Sequence, residues 1–257
     1  MITTVMGILN ITPDSFSDGG KYFSVDDALF RAEKMIEEGA GIIDVGGEST
    51  RPGASPVPEQ EEIERVIPVI EALKERFDVP ISLDTYKAGT AKLGIEAGAG
   101  IINDISGLSD PAMGEVISKT DVIYILTHNS PEIYDGPTDI YVNHFLKEFE
   151  ALVRNAHENG IPDERLIGDP GIGFHKTPEQ NLAILKNLNM LCKLKYKVLL
   201  GVSRKSVIGH VLDLPVDERL EGTLALTAWA VMNGVKYIRV HDVKENVRLI
   251  RMLEAVL

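Results

Sequence analysis

Three stretches of the sequence repeat one pattern: GAGIIDVGG at 39–47, GAGIINDIS at 98–106 and, more loosely, GVKYIRVHD at 234–242. In each stretch a glycine follows a helix-like segment, apolar residues predict a short buried strand, and a polar residue ends that strand. The polar residues in this place are Asp44, Asn103 and Arg239. A repeated helix, glycine and strand unit is typical of a parallel sheet, whose strands all end at the same edge.

Short apolar runs and longer amphipathic segments alternate along the whole chain. We predict eight strands, each followed by a helix, at Val5–Leu9, Ile42–Val45, Ile81–Leu83, Ile101–Asn103, Val122–Leu126, Leu166–Gly168, Val198–Val202 and Tyr237–Val240. Eight such units in about 250 residues predict an α/β fold, a (β/α)8 TIM barrel. A doubly wound open sheet is the alternative, and the missing GxGxxG motif after the first strand weakens it.

Two helix starts are clear in the sequence. Ser24 precedes a segment with two early aspartates that runs to Glu38 before a glycine. Thr177 precedes Pro178, which is a favoured first residue of a helix. We therefore predict helices beginning at these two places.

The composition excludes several classes of partner. The 257 residues carry 26 Lys+Arg and 39 Asp+Glu, a net charge of −13. An acidic surface repels phosphate backbones and anionic lipids, so we expect neither nucleic acid nor membrane as a partner. Cys192 is the single cysteine, and the sequence has no secretory leader and no apolar run of about 18 residues. We expect a cytoplasmic protein.

Unusual residues are concentrated after the predicted strands. Long segments rich in Gly, Pro and Ser follow the first and second strands, at 10–23 and 46–58. Loops of this length in a compact domain usually bind or cover a ligand, and we expect them to be mobile. In a (β/α)8 barrel the strand ends surround one opening, where the active site lies. The polar residues predicted there are Asn10, Asp44, Asp84, Asn103, His128, Asp169, Lys205, Arg239 and His241.

These residues form two chemical groups. The acceptor group, from strands 3, 4 and 6, consists of Asp84, Asn103 and Asp169. It suits a flat heterocycle with several N–H donors, such as an amino-pyrimidinone. The basic group, from strands 7 and 8, consists of Lys205, Arg239 and His241. Barrels often hold phosphate at these strands, and Ser206, at a predicted helix start, suits a carboxylate or phosphate.

Seven segments together closely resemble dihydropteroate synthase. They are MGILNITPDSFSDGG at 6–20, DVGGESTRPGA at 44–54, DTYKA at 84–88, NDISG at 103–107, DPGIGF at 169–174, GVSRKSVIG at 201–209 and RVHDV at 239–243. One such segment would be weak evidence for the family, but seven in order at successive strand ends are highly specific evidence. The resemblance implies a single TIM-barrel pterin-binding domain over residues 1–257, a homodimer and a sulfonamide target.

The resemblance also implies a reaction. The family joins 7,8-dihydropterin-6-ylmethyl diphosphate to p-aminobenzoate, giving 7,8-dihydropteroate and diphosphate for folate synthesis, with Mg2+ as cofactor. The residues in catalytic positions are Asn10, Lys205, Arg239 and His241, and Asn10 is similar to the residue that binds Mg2+. The pterin positions are Asp84, Asn103, Asp169, Phe174 and Lys205. The p-aminobenzoate positions are Phe16, Ser17, Thr50, Arg51, Pro52 and Ser206.

Two places depart from the family's pattern. After strand 5 the family commonly has Met-His-Met, whereas this chain has Thr127, His128 and Asn129, which would put polar atoms on the wall of the pterin pocket. His175 stands where the family usually has glycine. A related protein with a changed substrate is therefore an open alternative.

Other interpretations remain open on the sequence. A pterin-dependent methyltransferase would recognise the same ring without needing diphosphate ligands, and a non-catalytic pterin sensor would need no leaving-group site. Asp84 could cap a helix starting near Tyr86. His128 could support the barrel wall, and Lys205 could form a Schiff base.

Overall fold

The computed structural model describes residues 3–12, 24–49, 55–130, 134–138 and 140–257. Within these residues, eight parallel strands close into one barrel in chain order, and the last strand pairs with the first. The strands are β1 Thr4–Asn10, β2 Ile42–Gly46, β3 Ile81–Asp84, β4 Ile101–Asp104, β5 Ile123–Thr127, β6 Leu166–Asp169, β7 Lys197–Leu200 and β8 Tyr237–Val240. The closed ring confirms the predicted (β/α)8 barrel and excludes the open sheet.

Helices follow the strands in the described part of the chain. They are α1 Val25–Glu38, α2 Glu59–Arg76, α3 Ala88–Ala97, α4 Pro111–Ser118, α5 Tyr141–Glu158, α6 Pro178–Lys186, α7 Leu188–Leu191, α8 Ser206–Leu212, α9 Leu220–Met232 and α10 Val243–Val256. Both predicted helix starts are confirmed: Ser24 accepts a hydrogen bond from the Asp27 backbone N–H at 3.1 Å, and Thr177 forms a capping box with Gln180. None of these helices is both long and apolar enough to cross a membrane.

The glycine in each repeat has a conformational reason. Gly39, Gly98 and Gly234 have φ of 103°, 119° and 90°, in the left-handed region that residues with a side chain rarely adopt. Gly39 and Gly98 each end a helix in this conformation and lead the chain back toward the next strand. The repeated sequence is therefore a helix stop followed by a barrel strand.

Alternate residues of each strand face opposite sides of the barrel wall. The inward-facing apolar residues form one packed layer inside the barrel, made of Met6, Ile42, Ile101, Ile125, Ile167 and Leu199. The outward-facing residues pack against the helices in a second, larger core. Because Ile42 and Ile101 face inward, Asp44 and Asn103 two positions later face inward as well, at the carboxyl-end opening.

Some predicted boundaries were wrong. The seventh strand ends at Leu200, two residues earlier than predicted, and the fifth begins at Ile123. The helix after β3 begins at Ala88 and not near Tyr86, because the Thr85 side chain accepts the Lys87 backbone N–H at 3.2 Å and forms a turn first. Asp84 therefore does not cap this helix. The assignment of residues 1–257 to one domain stays a prediction.

Candidate active site

The three strand-end residues of the sequence repeats meet in the opening at the carboxyl end of the barrel. Arg239 Nε donates to Asp44 Oδ2 at 2.6 Å, and Asn103 Nδ2 lies 3.4 Å from the same oxygen. The Asp44 side chain is fully buried. One carboxylate oxygen thus joins residues from β2, β4 and β8.

Asp84 completes a buried charge cluster with these residues. Arg239 Nη2 donates to Asp84 Oδ2 at 2.5 Å. Burial raises the pKa of Asp84 to about 7; the Arg239 guanidinium opposes this shift and the Asp44 carboxylate adds to it. Burial also works to lower the pKa of Arg239, but Asp44 and Asp84 outweigh it and hold that pKa above its ordinary value. Asp44 Oδ1 is buried, and no described residue forms a hydrogen bond with it. The carboxylates of this cluster can therefore accept more hydrogen bonds than the described part of the protein donates to them.

A second pair of opposite charges lies on β6 and the turn after β7. Burial raises the pKa of Asp169 and lowers the pKa of Lys205 to about 8, and each group opposes the shift of the other. Lys205 Nζ donates to the Ile172 carbonyl and lies 4.7 Å from the centre of the Phe174 ring. An acid and a base with pKa values displaced toward neutrality are typical of a functional site.

Gly201 leaves space between these charged groups. A Cβ at this position would stand 3.8 Å from Asp169 Oδ2, 4.0 Å from Lys205 Nζ and 3.9 Å from Arg239 Cβ. The predicted strand-end residues Asp169, Lys205 and Arg239 therefore line one part of the opening, around Gly201.

His241 lies at the rim of the opening. Its Nδ1 is 3.0 Å from Ser203 Oγ, and its backbone N–H donates to the same hydroxyl at 3.2 Å. Arg204, at φ 55°, donates to both carboxylate oxygens of Asp242 at 2.8 and 2.9 Å. These contacts join the turn after β7 to the end of β8, so Lys205, Arg239 and His241 belong to one side of the opening, as predicted.

Asn10 ends β1, the strand that lies between β8 and β2 in the barrel. Its Oδ1 lies 3.6 Å from the point where a Gly46 Cβ would stand, and Asp84 Oδ2 lies 3.8 Å from the same point. Asn10 and Asp84 therefore share the space above Gly46. In the described part of the chain, no three His, Cys, Asp or Glu side chains form a metal-binding group.

His128 does not face the opening, and that part of the prediction was wrong. Its ring packs 4.7 Å from Phe145 and 6.3 Å from Phe149 between ring centres, and its Nε2 lies 3.2 Å from Glu148 on α5. Burial lowers the pKa of His128 to about 3. The reason is strand alternation: Thr127 faces inward, so the next residue faces the helices. The interpretation of His128 as wall support is confirmed.

Lys176 is a residue that sequence reasoning missed. Its Nζ donates to the carbonyl oxygens of His128, Gly171 and Phe174 at 2.9, 3.0 and 3.1 Å, and burial lowers its pKa to about 7. The ammonium thus fixes the loop that carries Phe174. Nothing in the sequence distinguishes this lysine from a solvated one.

The remaining predicted positions have different outcomes. Ser206 begins α8, as predicted. His175 has φ of 42°, and its Nδ1 is 2.8 Å from Asn129 Oδ1, so two of the unusual residues contact each other. The five loop residues and the expected loop mobility lie outside the described residues; those positions are Phe16, Ser17, Thr50, Arg51 and Pro52.

The fold and this opening define a class: a (β/α)8 barrel with buried, incompletely paired charges at the carboxyl ends of its strands. The sequence profile described as "Pterin binding enzyme" matches residues 6–241. The chain is similar to the dihydropteroate synthase of Bacillus subtilis, at 51% identity over 99% of this chain and 89% of that protein.

Solved structures are also similar. One is dihydropteroate synthase from Clostridium difficile in the presence of pteroic acid, at 46% identity and a TM-score of 0.93, covering 99% of this chain and 96% of that one. Another is the Xanthomonas albilineans dihydropteroate synthase with 4-aminobenzoic acid, at 39% identity and a TM-score of 0.94, covering 99% and 93%. The chain belongs to the pterin-binding enzyme family, among its dihydropteroate synthases. The resemblance seen in the seven segments is confirmed.

Proposed function

We propose that this chain catalyses the dihydropteroate synthase reaction. The pterin methylene carbon of 7,8-dihydropterin-6-ylmethyl diphosphate forms a bond to the amino nitrogen of p-aminobenzoate, and its bond to the diphosphate oxygen breaks. The observation that carries this proposal is the opening itself, where carboxylates with raised pKa values face buried cations within one cavity. The ligands in the two similar structures, pteroic acid and 4-aminobenzoic acid, support the same substrate class.

The acceptor group provides the pterin site in this proposal. Asp84 and Asp169 are buried carboxylates on β3 and β6, and Asn103 lies between them on β4. The N–H groups of an amino-pyrimidinone edge would give these carboxylates the hydrogen bonds that water gives an exposed carboxylate. Phe174 and the Lys205 stem supply an apolar wall beside the ring.

The basic group provides the diphosphate site. Arg239 is bound to Asp44 and Asp84 in the free protein, so the substrate has to compete with an existing ion pair. When the pterin N–H groups bind Asp84, a guanidinium N–H becomes available for the leaving group. Lys205 adds positive charge and His241 adds a ring N–H donor on the same side, and such preorganised groups stabilise a departing diphosphate.

Mg2+ is part of the proposal, with Asn10 as its protein ligand. The Asn10 amide oxygen is the kind of hard donor that Mg2+ accepts beside water and phosphate oxygens, and it lies next to the Asp84 carboxylate above Gly46. When bound, Mg2+ supplies Lewis-acid stabilisation of the diphosphate.

The second substrate, p-aminobenzoate, has to be bound and the site closed to water, but its amino group needs no activation. An arylamine nitrogen is already neutral at pH 7, so it can attack without a strong general base. We assign Phe16, Ser17, Thr50, Arg51 and Pro52 to covering p-aminobenzoate and excluding water, and Ser206 to its carboxylate.

We also propose a cytoplasmic homodimer. Its support is the single cysteine, which suits a reducing compartment, and a set of exposed apolar residues on neighbouring helices α8 and α9. That set consists of Val211, Leu212, Trp229 and Met232.

The test is to incubate the purified protein with the pterin diphosphate and Mg2+, with and without p-aminobenzoate. Diphosphate release is measured, and the product is identified by mass. We expect release that depends on p-aminobenzoate and yields dihydropteroate. Tight pterin binding without turnover would instead identify a sensor, and release without the arylamine product would contradict the transferase.

A further inference from the structure

Thr127 places a hydroxyl in the opening that the mechanism above does not use. It ends β5, two residues after Ile125 of the interior layer, so its side chain faces inward. In the strand register it lies directly opposite Asp169 of β6. Its side chain is 1% exposed, and its Oγ1 is buried with no hydrogen-bond partner among the residues that the structure describes.

A buried hydroxyl without a partner is unfavourable in the free protein. When the hydroxyl forms no hydrogen bond, the protein bears the cost of removing that polar group from water. A valine at this position would fill the same space without that cost. Two polar atoms near it contact other partners: Asp169 Oδ1 accepts the Gly171 backbone N–H at 2.7 Å, and Asn103 Nδ2 lies 3.4 Å from Asp44 Oδ2. The Thr127 hydroxyl is therefore available to a ligand beside Asp169.

We propose that Thr127 is a specificity-determining residue, whose Oγ1 hydrogen-bonds the polar edge of the heterocycle that Asp169 binds. This proposal rests on the proposed function and deepens it. A hydroxyl both donates and accepts, so it pairs with either a ring carbonyl or a ring N–H. A heterocycle with an apolar atom at that edge leaves the Thr127 hydroxyl without a hydrogen bond and binds more weakly.

The main test is Thr127→Val, which keeps the branched shape and removes the hydroxyl. Binding of 6-hydroxymethyl-7,8-dihydropterin is measured by calorimetry, and thermal unfolding is measured without ligand. We expect the Kd for the pterin to rise by about 3- to 10-fold, the strength of one hydrogen bond. The Tm should stay the same or rise, because an unpartnered hydroxyl is removed. The KM for p-aminobenzoate should not change.

Two further variants make the result specific. Thr127→Ser keeps the hydroxyl and should restore most of the pterin affinity. Thr227→Val is the matched control: Thr227 is also fully buried, but its Oγ1 lies 2.7 Å from Asn246 Oδ1 on α10. This control should lower the Tm and leave pterin binding unchanged, the reverse of the Thr127→Val pattern.

Unchanged or tighter pterin binding by Thr127→Val would overturn the proposal, and so would a lower Tm with an unchanged Kd, which is the pattern of a structural residue. A failure of the proposed function would be distinguishable from these outcomes, because the wild-type protein would then form no dihydropteroate in the turnover assay. Pterin binding by the variants is measured without turnover.

Discussion

Two buried clusters in this molecule contain the same charges in the same ratio, one cation between two carboxylates. The mouth triad consists of Arg239, Asp44 and Asp84 inside the barrel opening. The loop triad consists of Lys87, Glu48 and Glu62, with Lys87 Nζ at 2.6 and 2.8 Å from the two glutamates. The loop triad lies outside the barrel wall, where α2 meets the start of α3.

The two clusters differ in how completely the protein satisfies them. In the loop triad, Glu48 accepts from Tyr86 Oη at 3.0 Å and from the Val57 backbone N–H at 3.1 Å, and Glu62 accepts from Thr90 Oγ1 at 3.2 Å. Burial would raise the pKa of Glu48, but Lys87 and these donors outweigh it and lower it. The carboxylate oxygens of the loop triad therefore accept hydrogen bonds from groups of the protein itself.

The mouth triad shows the opposite balance. Within the described ranges Asp44 Oδ1 has no hydrogen-bond partner, and burial raises the pKa of Asp84 to about 7. Neither residue type nor charge ratio therefore separates a binding site from a structural cluster. The difference lies in whether the surrounding protein provides the remaining hydrogen bonds or leaves them for a ligand.

The largest expected effect is on turnover. Asp84→Ala or Lys205→Ala should lower the rate of dihydropteroate formation by about 1,000-fold or more, because each removes a charged group from the substrate site. The fold should be kept, since both positions lie at the open end of the barrel. Turnover and circular dichroism are measured on the same preparations. An unchanged rate in either variant would refute the assignment of the pterin site.

A substitution in the loop triad should lower the stability of the protein. Lys87→Met leaves the buried Glu62 carboxylate and the partly buried Glu48 carboxylate without their cation, and we expect a loss of about 3 kcal/mol in the free energy of unfolding, the lower end for breaking a buried pair. Because Glu48 accepts the Val57 N–H across the segment that carries Thr50, Arg51 and Pro52, the KM for p-aminobenzoate should also rise. Urea unfolding and steady-state kinetics measure the two effects.

Lys119→Met is the control for this experiment. Lys119 forms a 2.5 Å pair with Glu115, but the two side chains are 69% and 68% exposed. An exposed pair of this kind contributes little, so this variant should unfold like the wild type. If Lys87→Met also unfolds like the wild type, the loop triad is not a structural cluster.

The smallest effect is a pH dependence confined to the mouth. Below pH about 7 Asp84 takes up a proton and stops accepting N–H groups, and above about 8 Lys205 loses its charge. We expect the affinity for 6-hydroxymethyl-7,8-dihydropterin to fall by about 10-fold per pH unit outside this window. Calorimetric titrations from pH 5.5 to 9 measure it.

A charge-preserving variant separates the two sides of the pH profile. Lys205→Arg keeps its charge throughout the range, so whatever affinity remains should no longer fall above pH 8. A wild-type affinity that is independent of pH would show that pterin binding is not linked to the protonation of Asp84 or Lys205.

Local pattern determined much of this protein from the sequence alone. The strand positions, the glycines that end helices and the strand-end residues Asp84, Asn103 and Asp169 follow from short-range periodicity and from glycine's freedom at positive φ. Because parallel strands all end at one edge, identifying the residues at the strand ends was nearly enough to identify the residues that line the opening. The seven family segments then identified its chemistry.

Only the tertiary structure decided which of these residues contact each other. Arg239 binds Asp44 and Asp84, which are 195 and 155 positions away in the chain, and no local pattern encodes such a choice. Strand alternation directs Thr127 into the opening and His128 away from it, and three backbone carbonyls accept hydrogen bonds from Lys176. Burial and hydrogen-bond partners depend on the closed barrel, and they decide which polar residues are satisfied and which remain available to a ligand.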